Sequence, residues 1–334
     1  MDSQLAPSNP SLIDFSSENL KPGTSIWISA SKQVKCALEN HGIFLVTHDK
    51  ISSEVKNGFY QAVKEFYGLP TEKKCQFTSD KPYSGYLGKA ADEFPSLKLL
   101  LLKFQLFESK QRLGQIIFPQ TRSAHKTGRV SGLIRLMISE IMQSYSKQVA
   151  ELHEVIIRMV FESYGVEKYY ESFRESIAYV CRVNKYRAAT KFTEKYVGLV
   201  AHTDLSFMTI LHQNQVNGLE VRSNDGSWIP VDFPPSSFAV VAGDALMAWS
   251  NGRIHSILHR VMMASEEPRY SILLFAYKKG MVEAPEELVH EQHPLLFKPF
   301  DNLDLVSLAY AERVIVTEDK LKVLLALKDA ICPS

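Results

Sequence analysis

The sequence predicts an α+β fold: a double-stranded β-helix (jelly-roll) core flanked by helices. Three observations lead there. Residues 177–280 hold short apolar segments separated by Gly, Asn and Asp turns, the pattern of an antiparallel barrel or jelly roll. Segments with helical periodicity stand on both sides of that series. Within it His202 and Asp204 stand two apart and His259 follows, a donor set that a jelly roll can hold on rigid strands at its mouth.

The elements follow in order. Leu12, Ile13, Asp14 and Phe15 make a short strand after a Pro/Ser-rich lead. Residues 26–40 repeat with helical period until His41-Gly42 stops them, and 43–46 form a strand. A second helix covers 51–67, with Ser52 or Ser53 as cap and Gly68-Leu69-Pro70 as stop; 71–74 begin another turn. Tyr83-Ser84-Gly85-Tyr86 reads as a loop, its tyrosines packing the loop or touching a substrate. Residues 109–139 lack Asp and Glu but hold Lys110, Arg112, Arg122, Lys126, Arg129 and Arg135. Within them, 111–135 show no clean period and read as an irregular basic loop over the pocket mouth; a binding patch for an acidic substrate and a local reading-frame difference are the alternatives. Residues 136–164 read as one amphipathic helix, because Ile141, Tyr145, Val149, Leu152, Ile156, Val160 and Tyr164 recur every three or four positions, with Gly165 as its stop. Residues 179–186 are a strand with Asn184 and Tyr186 on one face. Short strands follow around 207–212, 218–221, 226–231, 238–246 and 269–277, and 301–331 is again helical, packed outside the barrel. The division is 1–110 (N-terminal region packed on the core), 111–135 (divergent basic loop), 136–170 (scaffold helix), 177–280 (core) and 281–334 (C-terminal helical segment).

Composition narrows the function. Lysine plus arginine total 38 against 37 acidic residues, a net charge of +1, which gives no reason to expect nucleic acid or a membrane surface as partner. Cys36, Cys75, Cys181 and Cys332 are scattered without a C-x-x-C pair, which reads as reduced thiols. The polar N-terminus lacks the pattern of a signal peptide, and the apolar run 97–107 is too short for a span and interrupted by Lys98 and Lys103. A cytoplasmic monomer acting on a small molecule is the expectation.

The chemistry concentrates in two stretches. His202-Thr203-Asp204 would aim imidazole and carboxylate at one spot if extended, and with His259 they compose a two-histidine, one-carboxylate set that selects non-haem Fe(II) oxygen chemistry. Arg269 and Ser271 are again i and i+2 and could hold the carboxylate of an acid co-substrate. The ordered set H-x-D, then Asn251-Gly252-Arg253 with His259-Arg260-Val261, then Arg269-Tyr270-Ser271, resembles the plant 2-oxoglutarate/Fe(II)-dependent dioxygenases across roughly residues 12–300. Stretches 158–166, 214–221, 259–263 and 284–289 are similar to the alkenyl/hydroxyalkyl-producing (AOP-like) branch, which includes glucosinolate side-chain enzymes, deoxypodophyllotoxin synthase and steroidal-alkaloid hydroxylases.

That resemblance implies Fe(II) on His202, Asp204 and His259, and 2-oxoglutarate with its far carboxylate on Arg269, assisted by Ser271 and by Tyr186 of the N-x-Y element. It also implies O2 as reactant and ascorbate as a supporting reductant. The reaction would release succinate and CO2 while a substrate C–H bond is oxidised by hydroxylation, desaturation, ring closure or dealkylation. The substrate would be a largely apolar plant specialised metabolite. Residues 111–135 depart from the family, whose members carry an acidic stretch and a Trp-Pro segment there. His255, His212 and His153 read as surface or core side chains, Arg260 as an ion pair, and Arg253 as turn chemistry. Phe207 and Trp249 are candidate pocket walls, though each residue type is more often core. Two other classes remain: a zinc hydrolase on the same triad, against which Arg269 and Ser271 argue, and a catalytically impaired binding protein of the same fold.

Overall fold

The computed structural model describes residues 9–77, 85–87, 97–104, 116–117, 129–191, 194–311, 321–322 and 325. The N-terminal part holds β1 (Leu12–Asp14), α1 (Ser25–His41), β2 (Ile43–Thr47), α2 (Ser53–Gly68) and α3 (Thr71–Lys74). Then come β3 (Gly85–Leu87), β4 (Leu97–Phe104), β5 (Ile116–Ile117), α4 (Arg129–Ser163) and α5 (Tyr170–Ser176). The core follows as β6 (Ile177–Tyr186), β7 (Tyr196–His202), β8 (Met208–Gln213), β9 (Leu219–Arg222), β10 (Trp228–Pro230) and β11 (Ser237–Ala242). It closes with α6 (Asp244–Trp249), β12 (His259–Met263), β13 (Arg269–Lys278), β14 (Met281–Val282), β15 (Phe300–Asp301) and α7 (Asn302–Ala311).

Local chemistry explains the element ends. The Thr24 hydroxyl accepts from the Trp27 amide at 3.2 Å and the Ser52 hydroxyl from the Val55 amide at 3.2 Å, capping α1 and α2. Gly42 ends α1 at φ 65°, its amide donating to Leu38 O, and a Cβ there would strike the His255 carbonyl. Gly165 ends α4 in the same left-handed conformation.

Two sheets face each other. The larger runs β1-β2-β11-β8-β13-β6-β4-β3 with β5 on β4; the smaller runs β10-β9-β12-β7. Strand periodicity assigns the two faces. Inward residues Leu45, Val180, Leu211, Ala239, Leu273 and Phe275 meet Leu219 and Val221 of the smaller sheet. Outward neighbours Phe44, Cys181, Val183, Ile210, Phe238 and Leu274 pack under the helices, among them Leu38 of α1, Phe59 of α2 and Leu152 and Ile156 of α4. Each such side chain is worth roughly 1.5–3 kcal/mol relative to exposure. This is the jelly roll with flanking helices that the alternation predicts.

Several expectations need correction. The apolar run beginning at Leu97, to which no element was assigned from the sequence, is a strand, β4, that extends the larger sheet by pairing with β6. Gly85 and Tyr86 are not loop but strand, and Tyr86 is buried edge-on against Phe66. The stretch 111–135 is not wholly loop. Ile116–Ile117 pair with Phe104 and Lys103, and α4 begins at Arg129, ahead of the expected 136; the remainder of that stretch lies outside the described residues. A strand edge needs only main-chain donors and acceptors, which a residue-type pattern does not reveal. Residues 244–246, expected in a strand, open α6 instead. The C-terminal helix is α7 to Ala311, with most of 312–334 outside the described residues.

Candidate active site

His202 ends β7 and His259 opens β12, and the antiparallel register sets them directly opposite. Opposed residues share a face, so the rings meet at 4.3 Å between centroids. His202 Nδ1 lies 2.9 Å from Val200 O and His259 Nδ1 3.1 Å from Ile257 O. A carbonyl can only accept, so each Nδ1 carries the proton and each Nε2 presents a lone pair inward. Those Nε2 atoms are 3.7 and 3.9 Å from Asp204 Oδ1.

Asp204 lies two residues past the end of β7, in a loop rather than the extended strand expected, and other contacts aim it. Its Oδ2 accepts from the Thr209 hydroxyl at 2.7 Å, and its carbonyl accepts from the Asp244 amide at 2.7 Å. Gly243 makes that approach possible, since a Cβ would collide with Ser206 O and come within 2.9 Å of Asp204 O. Burial works against ionising Asp204, but His259 and His202 when protonated, together with Arg182 and the Thr209 hydroxyl, outweigh it and hold the carboxyl below its usual range. The three donor atoms lie within 4.8 Å of one another, with Asp204 and His259 buried and the His202 side chain 12% exposed. Two imidazoles and one carboxylate gathered on one side fit a first-row divalent ion.

A second polar cluster sits along β6 and β13. Arg269 pairs with Tyr186 and Ser271 with Asn184, all on the inner face. Arg269 has no exposed surface; its Nε and Nη2 donate to Gln213 Oε1 at 3.1 and 2.7 Å, and its Nη1 is buried with no partner. Burial lowers its pKa, so the charge is held at a cost. Asn184 Nδ2 donates to the hydroxyl oxygens of Tyr186 at 3.2 Å and Ser271 at 3.1 Å, leaving both hydroxyl hydrogens to be donated elsewhere. One orphaned guanidinium nitrogen beside two hydroxyls is a cradle for a carboxylate. Gln213 takes the edge bearing Nε and Nη2, which leaves Nη1 for the cradle.

His202, Asp204, His259, Tyr186, Arg269 and Ser271, expected in one site, all come to the barrel interior. Gln213, Thr209 and Arg182 were not expected there, because their places opposite other inward side chains depend on strand register. Phe207 and Trp249 are not pocket walls: Phe207 packs at a tilt against Phe173 and Trp249 stacks on Phe161, each at 4.5 Å, under the helices. His212 bonds Tyr60 and His153 bonds Tyr179 as core side chains, and His255 is exposed. Arg260 pairs with Glu220 at 2.7 Å, and Arg253 donates to Ser250 O and Leu288 O in its turn.

Residues 178–277 match the 2OG-Fe(II) oxygenase superfamily, and residues 11–107 match the non-haem dioxygenase in morphine synthesis N-terminal family. The probable 2-oxoglutarate-dependent dioxygenase AOP1 of Arabidopsis thaliana is 36% identical over 323 residues, 93% of this chain and 95% of that protein. The rice dioxygenase for auxin oxidation superposes with a TM-score of 0.72 at 25% identity, over 91% of this chain and 96% of that one. The Arabidopsis thaliana dioxygenase for auxin oxidation 1, in a binary complex with 2-oxoglutarate, gives 0.68 at 26% identity over 85% of this chain and 99% of that one. Sequence, fold and donor set agree, and the chain belongs to the plant 2-oxoglutarate- and Fe(II)-dependent dioxygenases.

Proposed function

We propose that His202, Asp204 and His259 hold the Fe(II), that Arg269, Ser271 and Tyr186 hold 2-oxoglutarate, and that the substrate is a small, largely apolar metabolite. The observation that carries this reading is the buried Arg269 with its unpartnered Nη1, on the same inner surface as the triad. A structural arginine would have its donors satisfied; this one awaits an acceptor. The bound iron and co-substrate supply the oxidising power, with succinate and CO2 as by-products. The chain's own residues do the rest. Val200 O and Ile257 O fix the imidazole tautomers, Thr209 orients the Asp204 carboxylate, and Arg269 with two hydroxyls sets the co-substrate's position. Val180, Leu273 and Phe275 belong to the apolar interior between the two sheets and keep water out of it.

Two structural neighbours act on auxin, which supports a small-molecule substrate here. A cytoplasmic monomer without nucleic-acid or membrane partners is part of the proposal; the balanced charge supports the absence of a nucleic-acid partner, and no helix among the described residues is long and apolar enough to cross a membrane. The test is metabolite extract incubated with enzyme, Fe(II), ascorbate and 2-oxoglutarate, read for succinate and for products gaining one oxygen or losing two hydrogens. His202→Ala, Asp204→Ala and His259→Ala should each abolish turnover in a folded protein. Turnover that survives any one of these changes removes that residue from the ligand set.

A further inference from the structure

The inner face of β6 carries one more charged side chain. Arg182 stands two residues before Asn184 and four before Tyr186, so all three leave the strand on one side. Its cross-strand partner is Leu273, and its guanidinium carbon lies 4.8 Å from the centre of the Phe275 ring. Phe275 pairs in turn with Thr209, the residue that bonds Asp204. Arg182 is thus on the metal side of the co-substrate cradle, near enough for its charge to act on Asp204.

Arg182 is half-buried, its Nε is buried without a hydrogen-bond partner, and no described carboxylate pairs with it. Charges nearby are already committed. Asp204 and one co-substrate carboxylate balance a divalent ion, and the other carboxylate balances Arg269. Arg182 is the positive charge left over, beside Val180, Leu273 and Phe275 of the apolar interior. An arginine fork in that setting matches a planar carboxylate; a phosphate dianion would call for further donors that this apolar interior lacks. Resting on the site assignment under Proposed function, we infer that Arg182 docks the carboxylate of the primary substrate, which makes that substrate an organic acid with a mainly apolar body.

The test uses the Fe(II)- and 2-oxoglutarate-loaded protein under argon, where binding is read without turnover. Calorimetric titration compares phenylacetate, 3-phenylpropionate, cinnamate and octanoate, each against its primary amide. At least one acid should bind wild type about tenfold or more tighter than its amide. Arg182→Met should weaken that acid by about ten- to a hundredfold while leaving the amide within about threefold, and Arg182→Lys should keep part of the preference. Acids that bind no tighter than their amides, a panel in which no acid binds, or a preference that survives in Arg182→Met would each overturn the inference. Separate 2-oxoglutarate titrations report on the reading beneath it. Wild type that binds no 2-oxoglutarate overturns the site assignment, and unchanged 2-oxoglutarate affinity in Arg182→Met shows that the variant is folded.

Discussion

Arg269 is held from behind before any co-substrate arrives, because Gln213 accepts from two of its nitrogens. Arg269→Lys keeps the charge but not the planar fork, so 2-oxoglutarate affinity at saturating Fe(II) should fall about ten- to a hundredfold, with a smaller effect on iron. Arg269→Ala should nearly abolish activity; unchanged affinity in that variant would mean the co-substrate site lies elsewhere. Gln213→Glu is a sharper probe. A carboxylate at that position would pair with the guanidinium and compete with the co-substrate, so the protein should fold while 2-oxoglutarate binding drops at least about tenfold. Equal affinity in wild type and variant would argue against Arg269 as the anchor. The residues of this site were legible where residue type and spacing coincide, as in His202 with Asp204 or Arg269 with Ser271. Gln213 was illegible because its role depends on the β8–β13 register, and a lone glutamine in a strand announces no partner.

At the scale of elements, the triad depends on one loop and one pairing. The loop between β7 and β8 carries Asp204, and its closure requires the bare backbone of Gly243. Gly243→Ala should therefore leave the helical and sheet content intact, by circular dichroism, while Fe(II) affinity falls about tenfold or more through a displaced Asp204. Wild-type metal affinity in this variant would mean that the loop has other ways to close. Periodicity disclosed α1, α2 and the body of α4, which bury one stripe, while β2 and β6, buried on both faces, were legible as short apolar runs between turn and stop signals. It did not disclose β3, β4 and β5. The run 97–104 is apolar at nearly every position, so no alternation separates strand from buried helix. The opposition of His202 and His259 was also hidden, because register shifts between β7 and β12 make it a property of two strands together.

For the whole molecule, the buried histidines set the response to acid. Burial lowers the pKa of His153 and of His212 to about 3, against 6.5 for an unburied histidine. The folded state keeps both neutral, so their contribution is fully present above pH 6.5 and is lost as pH falls toward 3, where the unfolded chain takes up the protons first. At pH 5 each should cost about 2 kcal/mol relative to pH 7.5. The urea midpoint of metal-free protein should drop over that interval, and drop less in His153→Phe; an identical drop would remove His153 from the account. The position of β2 has a further consequence, concerning the order in which the chain is made. Its residues 43–47 are paired antiparallel with Ser237–Ala242, which leave the ribosome only after most of the core has been synthesised. Until then an apolar strand made early has no neighbour along that edge, and the barrel cannot close. Translation therefore imposes a waiting period on the N-terminal segment, during which it is exposed to chaperones and to mispairing. Loss of the first 47 residues would strip the larger sheet of two strands rather than trim a tail.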